Sequence, residues 1–183
     1  MDLEQSISQK KDAILDRWFH LIIETYPQDA SRLLKREKDR FANPVGHTIS
    51  VGIRTLYEEL LQDMDPAKLA ASLDDIIRIR SVQDYPPSEA IAFIFLLKEA
   101  VREELADVLD DKQAYTDLLT FEAKIDKLAL LALDIFTRCR EKIHEIRLKE
   151  VRTEGARAFR LLEITKRMYG TPDTEEDHDD REN

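Results

Sequence analysis

The chain has little of what many enzymes and secreted proteins depend on. Among its 183 residues there are only four glycines and one cysteine. No glycine-rich loop that cradles a phosphate occurs in the sequence. The single cysteine, Cys139, excludes an intrachain disulfide and fits a reducing compartment. We therefore expect neither nucleotide binding through the common loops nor a disulfide framework.

Long apolar runs and strong basic patches are missing as well. The longest apolar run, Ala90 to Leu97, covers eight residues, whereas a membrane-spanning helix needs about 20. The N-terminal segment lacks the apolar centre of a secretion signal. The formal net charge is −10, and no basic stripe for nucleic acid emerges from it. The sequence thus predicts a cytoplasmic protein without membrane insertion and without a nucleic-acid partner.

What the sequence does contain is a series of amphipathic helices. Apolar residues recur at helical spacing along most of the chain, and no window shows the alternation of a strand. The first helix is predicted to end before Pro27. At Asn43-Pro44 and Asp65-Pro66 a capping side chain precedes a proline, which is typical of helix starts. The pattern predicts an all-α fold.

The two prolines Pro86 and Pro87 precede the most apolar helix of the chain. Residues 90–97 are apolar on every side, so this helix is predicted to be covered by neighbours all round and to form the centre of the core. Because the backbone restarts after the prolines, Ser88 or a residue just before it is predicted to cap the helix.

The last helix is predicted to start near Asp110 or Asp111 and to bury an apolar stripe as far as Ile146. Charged residues dominate beyond that point, but apolar residues persist at helical spacing, among them Leu148, Val151, Phe159 and Leu162. We interpret residues 1–146 as one helical domain and residues 147–170 as a projecting helix whose apolar residues bind a partner or a second copy. Residues 171–183 carry seven acidic residues against one arginine and are predicted to be a disordered tail.

The histidines do not predict a metal, haem or catalytic site. His20 and His47 lie off the main apolar stripes of their helices and are interpreted as solvated. Glu141 and His144 match the Glu-x-x-His step of di-iron bundles, but the only other such step in the sequence lies in the acidic tail. Cys139 lies on an apolar stripe, where a cysteine is usually a small buried hydrophobe. We therefore predict no catalytic residue, no metal, no cofactor and no enzymatic activity.

One polar junction, at the end of the helix before the two prolines, is the predicted site. Arg80 is in phase with the buried face of that helix, and a buried arginine must be paired because desolvating a lone charge is costly. In one interpretation it is a structural clamp that pairs with Asp84, Glu89 or helix-end carbonyls. In the other, Arg78, Arg80 and Gln83 coordinate an anionic ligand or a partner's carboxylate.

Two segments resemble the most recognisable stretches of the RsbRD N-terminal domain family. They are FANPVG at residues 41–46 and RIRSVQDYPPSEA at residues 78–90, and the resemblance extends roughly from Ile7 to Ile146. It implies an all-α, globin-like or bundle-like sensor domain of about six helices, without haem and with a long C-terminal helix. The tentative ligand or partner set takes its residues from these two segments: Asn43, Arg78, Arg80, Gln83 and Asp84.

The resemblance also implies a role in signalling. Members are related to co-antagonists of the RsbT kinase, and the better-known relatives dimerise through a linking helix that leads to a STAS domain. No STAS segment follows here, so we expect an adaptor or regulator that binds a protein partner and forms a homodimer. The alternative is a small-molecule or haem-binding sensor, which would need a buried polar or histidine-lined cavity beside Phe93 and Phe95.

Overall fold

The computed structural model describes residues 3–36, 42–83 and 85–170, and these residues form seven helices. The helices are α1 (Leu3–Gln9), α2 (Lys11–Glu24), α3 (Gln28–Arg36), α4 (Pro44–Leu61), α5 (Pro66–Ser81), α6 (Pro87–Glu104) and α7 (Lys112–Tyr169). No strand occurs in those ranges, so the predicted all-α fold with a long C-terminal helix is confirmed. The described residues form seven helices, where the sequence predicts about six, because the predicted opening helix is divided at Lys10. The predicted acidic tail, 171–183, lies outside the described residues.

The chain divides into two compact units, Met1–Glu141 and Lys142–Asn183. The first unit contains α1 to α6 and α7 as far as Glu141. The predicted partner-binding residues, from Leu148 to Leu162, lie in the second unit. None of the helices in the described ranges combines the length and apolar character that a membrane crossing requires.

Two helix starts are those that the sequence predicts. The Asn43 side chain accepts a hydrogen bond from the Gly46 N–H at 2.8 Å, and Pro44 is the first residue of α4. The Asp65 side chain accepts from the Ala67 N–H at 2.9 Å at the start of α5. Both side chains satisfy an amide that the helix itself leaves without an acceptor.

The sequence predicts that Ser88 or a residue just before it caps α6. Pro86 occupies the capping position and provides no side-chain hydrogen bond, Pro87 is the first helical residue, and Ser88 already lies inside the helix. The capping residue is thus one just before Ser88, as the prediction allows, but it caps the helix without a side-chain hydrogen bond. Pro87 has no N–H that requires an acceptor, and its fixed φ angle suits the first helical turn.

The core of the first unit lies where α2 packs on α6 and α4 packs on α5. Trp18 is fully buried in α2 and donates its indole N–H to the Phe93 carbonyl of α6 at 2.7 Å. Helices α4 and α5 approach closely at Gly52, where a Cβ atom would lie 2.8 Å from Cδ1 of Ile76. A larger residue at Gly52 would require the end of the Ile76 side chain to move.

The apolar run in α6 is covered on one face only. Ala90, Phe93, Ile94 and Leu97 are buried, but Phe95 is 43% exposed. The prediction that this helix is buried all round was therefore wrong. The four buried residues follow the i, i+3, i+4, i+7 pattern of a single helix face, so the neighbouring helices cover that face and leave the other at the surface.

The buried stripe of α7 is shorter than predicted. The helix begins at Lys112, and the Asp111 carboxylate accepts from the Ala114 N–H at 2.9 Å, as the sequence indicates. The side chains are buried as far as Phe136, Cys139 is partly buried, and Ile146 is 49% exposed. Burial thus fades after Phe136.

Stability in acid is expected to depend on Glu59. The Lys68 ammonium, 2.8 Å from this carboxylate, and the Asp65 N–H at 3.0 Å lower the pKa of Glu59 in the folded protein. Because the pKa of Glu59 is lower in the folded than in the unfolded protein, its ionised carboxylate stabilises the fold at pH values above the unfolded pKa. This stabilisation is lost as the pH falls through the folded pKa. We expect the free energy of unfolding to decline below a pH of about 4.3.

Urea unfolding at several acidic pH values measures this decline. Glu59→Gln should make the decline shallower, because the amide does not titrate. The matched control is Glu150→Gln, since Glu150 is exposed on α7 and should leave the pH dependence unchanged. An equal pH dependence in the wild type and Glu59→Gln would contradict the role of Glu59.

Candidate functional site

Arg80 is buried in the first unit, with only 1% of its surface exposed. It lies in the last turn of α5, in phase with the buried residues Leu73, Ile76 and Ile77. Its Nη2 donates to the Thr25 hydroxyl at 3.2 Å and to the Glu89 carbonyl at 3.3 Å. The arginine therefore links the end of α2, the end of α5 and the start of α6 through two neutral acceptors.

Three aromatic rings surround the guanidinium of Arg80, and we call them the aromatic box. The guanidinium carbon lies 5.3 Å from the ring centroid of Tyr26, 4.8 Å from that of Tyr85 and 5.6 Å from that of Phe93. Such cation–π contacts contribute up to about 2 kcal/mol when the cation is removed from water. The negative faces of the rings thus partly replace the carboxylate that a buried arginine usually has.

Two nitrogens of the same guanidinium have no acceptor among the residues that the structure describes. Nε and Nη1 are both buried without a hydrogen-bond partner there, as is the Tyr26 hydroxyl. Asp84, the predicted acidic partner, lies outside the described residues. Burial raises the pKa of the Tyr26 hydroxyl, and the positive charge of Arg80 opposes this rise. Within the described part of the chain, the contact with α6 is made through the backbone carbonyl of Glu89, in the first turn of that helix.

Of the other predicted site residues, the three that the structure describes do not join Arg80. The side chain of Arg78 is 71% exposed and pairs with Asp74 of the preceding turn at 2.7 Å. Gln83 is exposed, and Asn43 lies at the start of α4, where its Nδ2 donates to the Leu34 carbonyl at 2.9 Å. Arg78 and Arg80 are two residues apart on one helix and therefore face different directions.

Sequence reasoning missed the residues that hold Arg80: Thr25, Tyr26, Tyr85 and Phe93. A signal for two of them was present, because Tyr26 and Tyr85 each directly precede a proline. A residue before proline favours extended backbone and often marks a helix boundary. Arg80 also lies near the end of its helix, so an arginine and two tyrosines at three helix ends were candidates for one junction.

A groove between α2 and α4 is a second candidate site. Its volume is about 630 Å³, within the range of about 300–1,000 Å³ that is typical of ligand pockets. The lining residues come from α2, α3, α4 and the residue before α4: Asp12, Leu15, Asp16, Phe19, His20, Leu34, Asn43, Gly46, His47, Ser50, Ile53 and Arg54. The groove is not beside Phe93 and Phe95, where the sensor hypothesis expects a cavity.

Both histidines that the sequence predicts to be solvated lie on the wall of this groove. His20 and His47 are partly buried, and Nδ1 of His20 lies 2.8 Å from the Asp16 carbonyl oxygen. In the described ranges, no three histidine, cysteine or acidic side chains gather closely enough to hold a metal ion. The mixed lining instead suits an organic molecule with an apolar part and a polar group.

Asn43 caps α4 at the edge of the groove, and a substitution at Gly46 tests this role. A Cβ atom at Gly46 would lie 2.3 Å from Nδ2 of Asn43. Gly46→Ala should therefore displace the capping side chain and lower the free energy of unfolding by about 1 kcal/mol, as loss of a helix cap does. Thermal and urea unfolding measure the change. The matched control places Gly46→Ala in a chain with Asn43→Ala, where no capping side chain remains to be displaced. An equal change in stability in both backgrounds would contradict the cap.

The second unit exposes many large apolar side chains. The predicted partner-binding residues Leu148, Val151, Phe159 and Leu162 are all exposed, with Phe159 at 73%. Four further apolar residues of the same segment are exposed: Ile146, Leu161, Ile164 and Met168. Single apolar residues are common on protein surfaces, but a concentration of this kind marks an interaction surface.

Comparison with known proteins gives one family and one relative. A protein of Archaeoglobus fulgidus (strain ATCC 49558), described as an uncharacterized protein, is 27% identical over 120 residues, which cover 65% of this chain and 72% of that protein. No solved structure matches the chain. The family model of the RsbT co-antagonist protein rsbRD N-terminal domain matches residues 12–151, which include Arg80 and its aromatic box. The chain therefore belongs to the RsbRD N-terminal domain family.

Proposed function

We propose that this protein is a non-enzymatic regulatory module that acts in the cytoplasm by binding a protein partner through residues 142–170 of α7. The family suggests a signalling domain related to the stressosome. The observation that carries the proposal is the group of eight large exposed apolar residues in this segment. In the described part of the first unit, the largest such group on one helix is four residues of α7: Tyr115, Leu119, Leu130 and Leu133.

The physical reason is the cost of leaving these residues in water. Removing apolar surface from water gains about 25 cal/mol for each Å², and a large exposed aromatic residue such as Phe159 gains most. Charged residues between the apolar positions, among them Arg147, Glu154 and Arg160, keep the free chain in solution. A partner that covers the apolar positions and leaves the charges in water would bind with a net gain.

In this proposal the Arg80 junction is a structural clamp. Its two hydrogen bonds and the aromatic box join the ends of α2 and α5 to the start of α6. Because the guanidinium is buried under Tyr85 and Phe93, a partner does not reach it in this conformation. The clamp fixes the helices of the first unit, and the second unit makes the contact.

Affinity capture from the native cells tests the proposal. The baits are the full chain and the full chain with Val151→Glu and Leu162→Glu. The matched control carries Val51→Glu, since Val51 is also an exposed apolar residue but lies on α4 in the first unit. We expect a set of proteins that the wild type and the control retain and the double variant loses. If the double variant retains the same set, the second unit is not the binding surface.

The groove favours a second candidate function, a small-molecule sensor. Native mass spectrometry of the protein purified from its own cells would detect a bound molecule. Ser50 lines the groove and is exposed, so Ser50→Trp should fill the space and release the molecule.

The hypothesis of a haem-binding sensor is tested by titrating the purified protein with haem. A Soret band that is lost in His20→Ala or His47→Ala would support it, and the absence of a band would contradict it.

A further inference from the structure

We propose that the groove between α2 and α4 binds an organic acid that has one carboxylate and an apolar body about 10 Å long. This inference rests on the second candidate function, the small-molecule sensor, because it names the class of molecule that the groove accepts. It does not depend on residues 142–170. It follows from a row of polar side chains on one wall, an apolar surface beside that row and the position of Arg54.

The two helices that form the walls run in opposite directions. Near the start of α2, Nζ of Lys11 lies 2.6 Å from Oε1 of Glu58, and Oδ1 of Asp12 lies 3.6 Å from Nη1 of Arg54. Glu58 and Arg54 belong to the later part of α4. The other lining residues of these helices come from later positions of α2 and earlier positions of α4. The groove therefore extends along both helices, and a ligand in it contacts one face of each.

The α4 wall carries three polar side chains in one row: His47, Ser50 and Arg54. Their spacing of three and four residues places them on one helix face, and the row covers about 10 Å of the helix axis. No hydrogen bond joins the side chain of His47 or Ser50 to another residue within 3–36, 42–83 and 85–170. The row therefore offers a ligand hydrogen-bonding groups that the described chain does not already use.

The surface beside this row is apolar. Leu15 and Phe19 of α2 line the groove together with Ile53 of α4, and both Leu15 and Ile53 are buried at its base. The polar residues of the α2 wall contact each other, since Nδ1 of His20 lies 3.4 Å from the Asp16 carboxylate and 2.8 Å from the Asp16 carbonyl oxygen. A ligand thus meets apolar surface along its body and hydrogen-bonding groups along one edge.

The carboxylate of the ligand is placed at Arg54, the only lysine or arginine among the described residues that line the groove. The contact of Arg54 with Asp12 is loose, because it is 3.6 Å long and both side chains are exposed. Such a pair contributes little, whereas a carboxylate can make two parallel hydrogen bonds with a guanidinium. A second negative charge on the ligand would lie near Asp12 and Asp16, so the groove favours a monocarboxylate.

Isothermal titration calorimetry with the full chain tests the class of ligand. The probes are octanoate and 3-phenylpropanoate, and each is compared with the amine of the same carbon skeleton, octylamine or 3-phenylpropylamine. We expect at least one acid to bind about tenfold more tightly than its amine, because only the acid makes charge-assisted hydrogen bonds with Arg54. If neither acid binds, or if the amines bind as tightly as the acids, the proposal is overturned.

Single substitutions test the contact with Arg54. Arg54→Gln should weaken binding of the acid about tenfold, because the guanidinium is lost. Asp12→Asn should strengthen binding, because the competing carboxylate becomes an amide. Glu58→Gln is the matched control, since it breaks the neighbouring ion pair between the same two helices but does not line the groove. Circular dichroism checks that each variant folds. An unchanged affinity of Arg54→Gln, or a weaker affinity of Asp12→Asn, would overturn the proposal.

Two further variants test the place of binding. Ser50→Trp should abolish binding of the acid, because the indole fills the groove. The chain with Val151→Glu and Leu162→Glu should bind the acid like the wild type, since these exposed residues of the second unit lie outside the groove. Binding that survives Ser50→Trp, or that is lost in the double variant, would contradict the groove as the site.

Failure of this inference is distinguishable from failure of the sensor function. If neither acid binds but native mass spectrometry detects another molecule that Ser50→Trp releases, the sensor function stands and only the class of ligand is wrong. If neither acid binds and no molecule is detected, both are wrong. Binding of a protein partner through residues 142–170 is tested independently by the capture experiment.

Discussion

Arg80→Ala is expected to lower the free energy of unfolding by about 3 kcal/mol, since it removes a large buried side chain and leaves a cavity in the core. The variant loses the hydrogen bonds to Thr25 and to the Glu89 carbonyl and the contacts with the aromatic box. Urea unfolding followed by circular dichroism measures the change. A loss below about 0.5 kcal/mol, the size of an ordinary surface substitution, would contradict the clamp.

Arg80→Met separates the charge of the arginine from its volume. Methionine fills much of the same space without buried donors, and apolar replacement of buried ionic groups is often neutral or stabilising. We expect Arg80→Met to stay within about 1 kcal/mol of the wild type, because Nε and Nη1 have no acceptor in the described residues. Arg80→Met that folds and still captures the same proteins supports the clamp. If it folds and loses them, Arg80 belongs to the binding site.

Val151→Glu and Leu162→Glu together are expected to weaken self-association of the full chain at least 100-fold. In the homodimer that the resemblance implies, the substitutions place four carboxylates in the contact surface of 142–170, where burying unpaired charges costs far more than any remaining apolar contact gains. The single chain should fold as before, because both positions are exposed. Light scattering across a range of concentrations measures the change in mass.

The matched control for this prediction is Ile164→Glu. Ile164 is an exposed apolar residue of the same segment, but it lies on the opposite side of the helix from Val151 and Leu162. We expect its variant to associate like the wild type. If Ile164→Glu dissociates the chain as strongly as the double variant, the association depends on total apolar surface and not on the helix face of Val151 and Leu162.

The Arg80 junction shows which features of the site can be predicted from the sequence and which cannot. The burial of Arg80 follows from its phase with Leu73, Ile76 and Ile77, which is a local property of one helix. Its contacts do not follow, because Thr25 and Phe93 belong to other helices and no spacing rule relates them to Arg80. Nearness in sequence suggests that Arg78 and Gln83 join Arg80, but the helix directs the Arg78 side chain elsewhere, and Gln83 lies beyond the end of the helix.

The same contrast applies to α6 and to the histidines. Residues 90–97 are apolar on all sides, and the sequence does not reveal that only one side has helices against it. His20 and His47 lie off the main stripes of two separate helices, but the packing of α2 beside α4 brings both to one groove.

The sequence by itself determined the helical class, the helix starts at Asn43 and Asp65, and the apolar residues that the second unit exposes. These depend on caps, prolines and periodicity, which act between residues a few positions apart. Only the tertiary structure decided the aromatic box of Arg80, the exposed side of α6 and the groove between α2 and α4. Each of these depends on which helix faces are brought together, and that is set by the packing of residues far apart in the sequence.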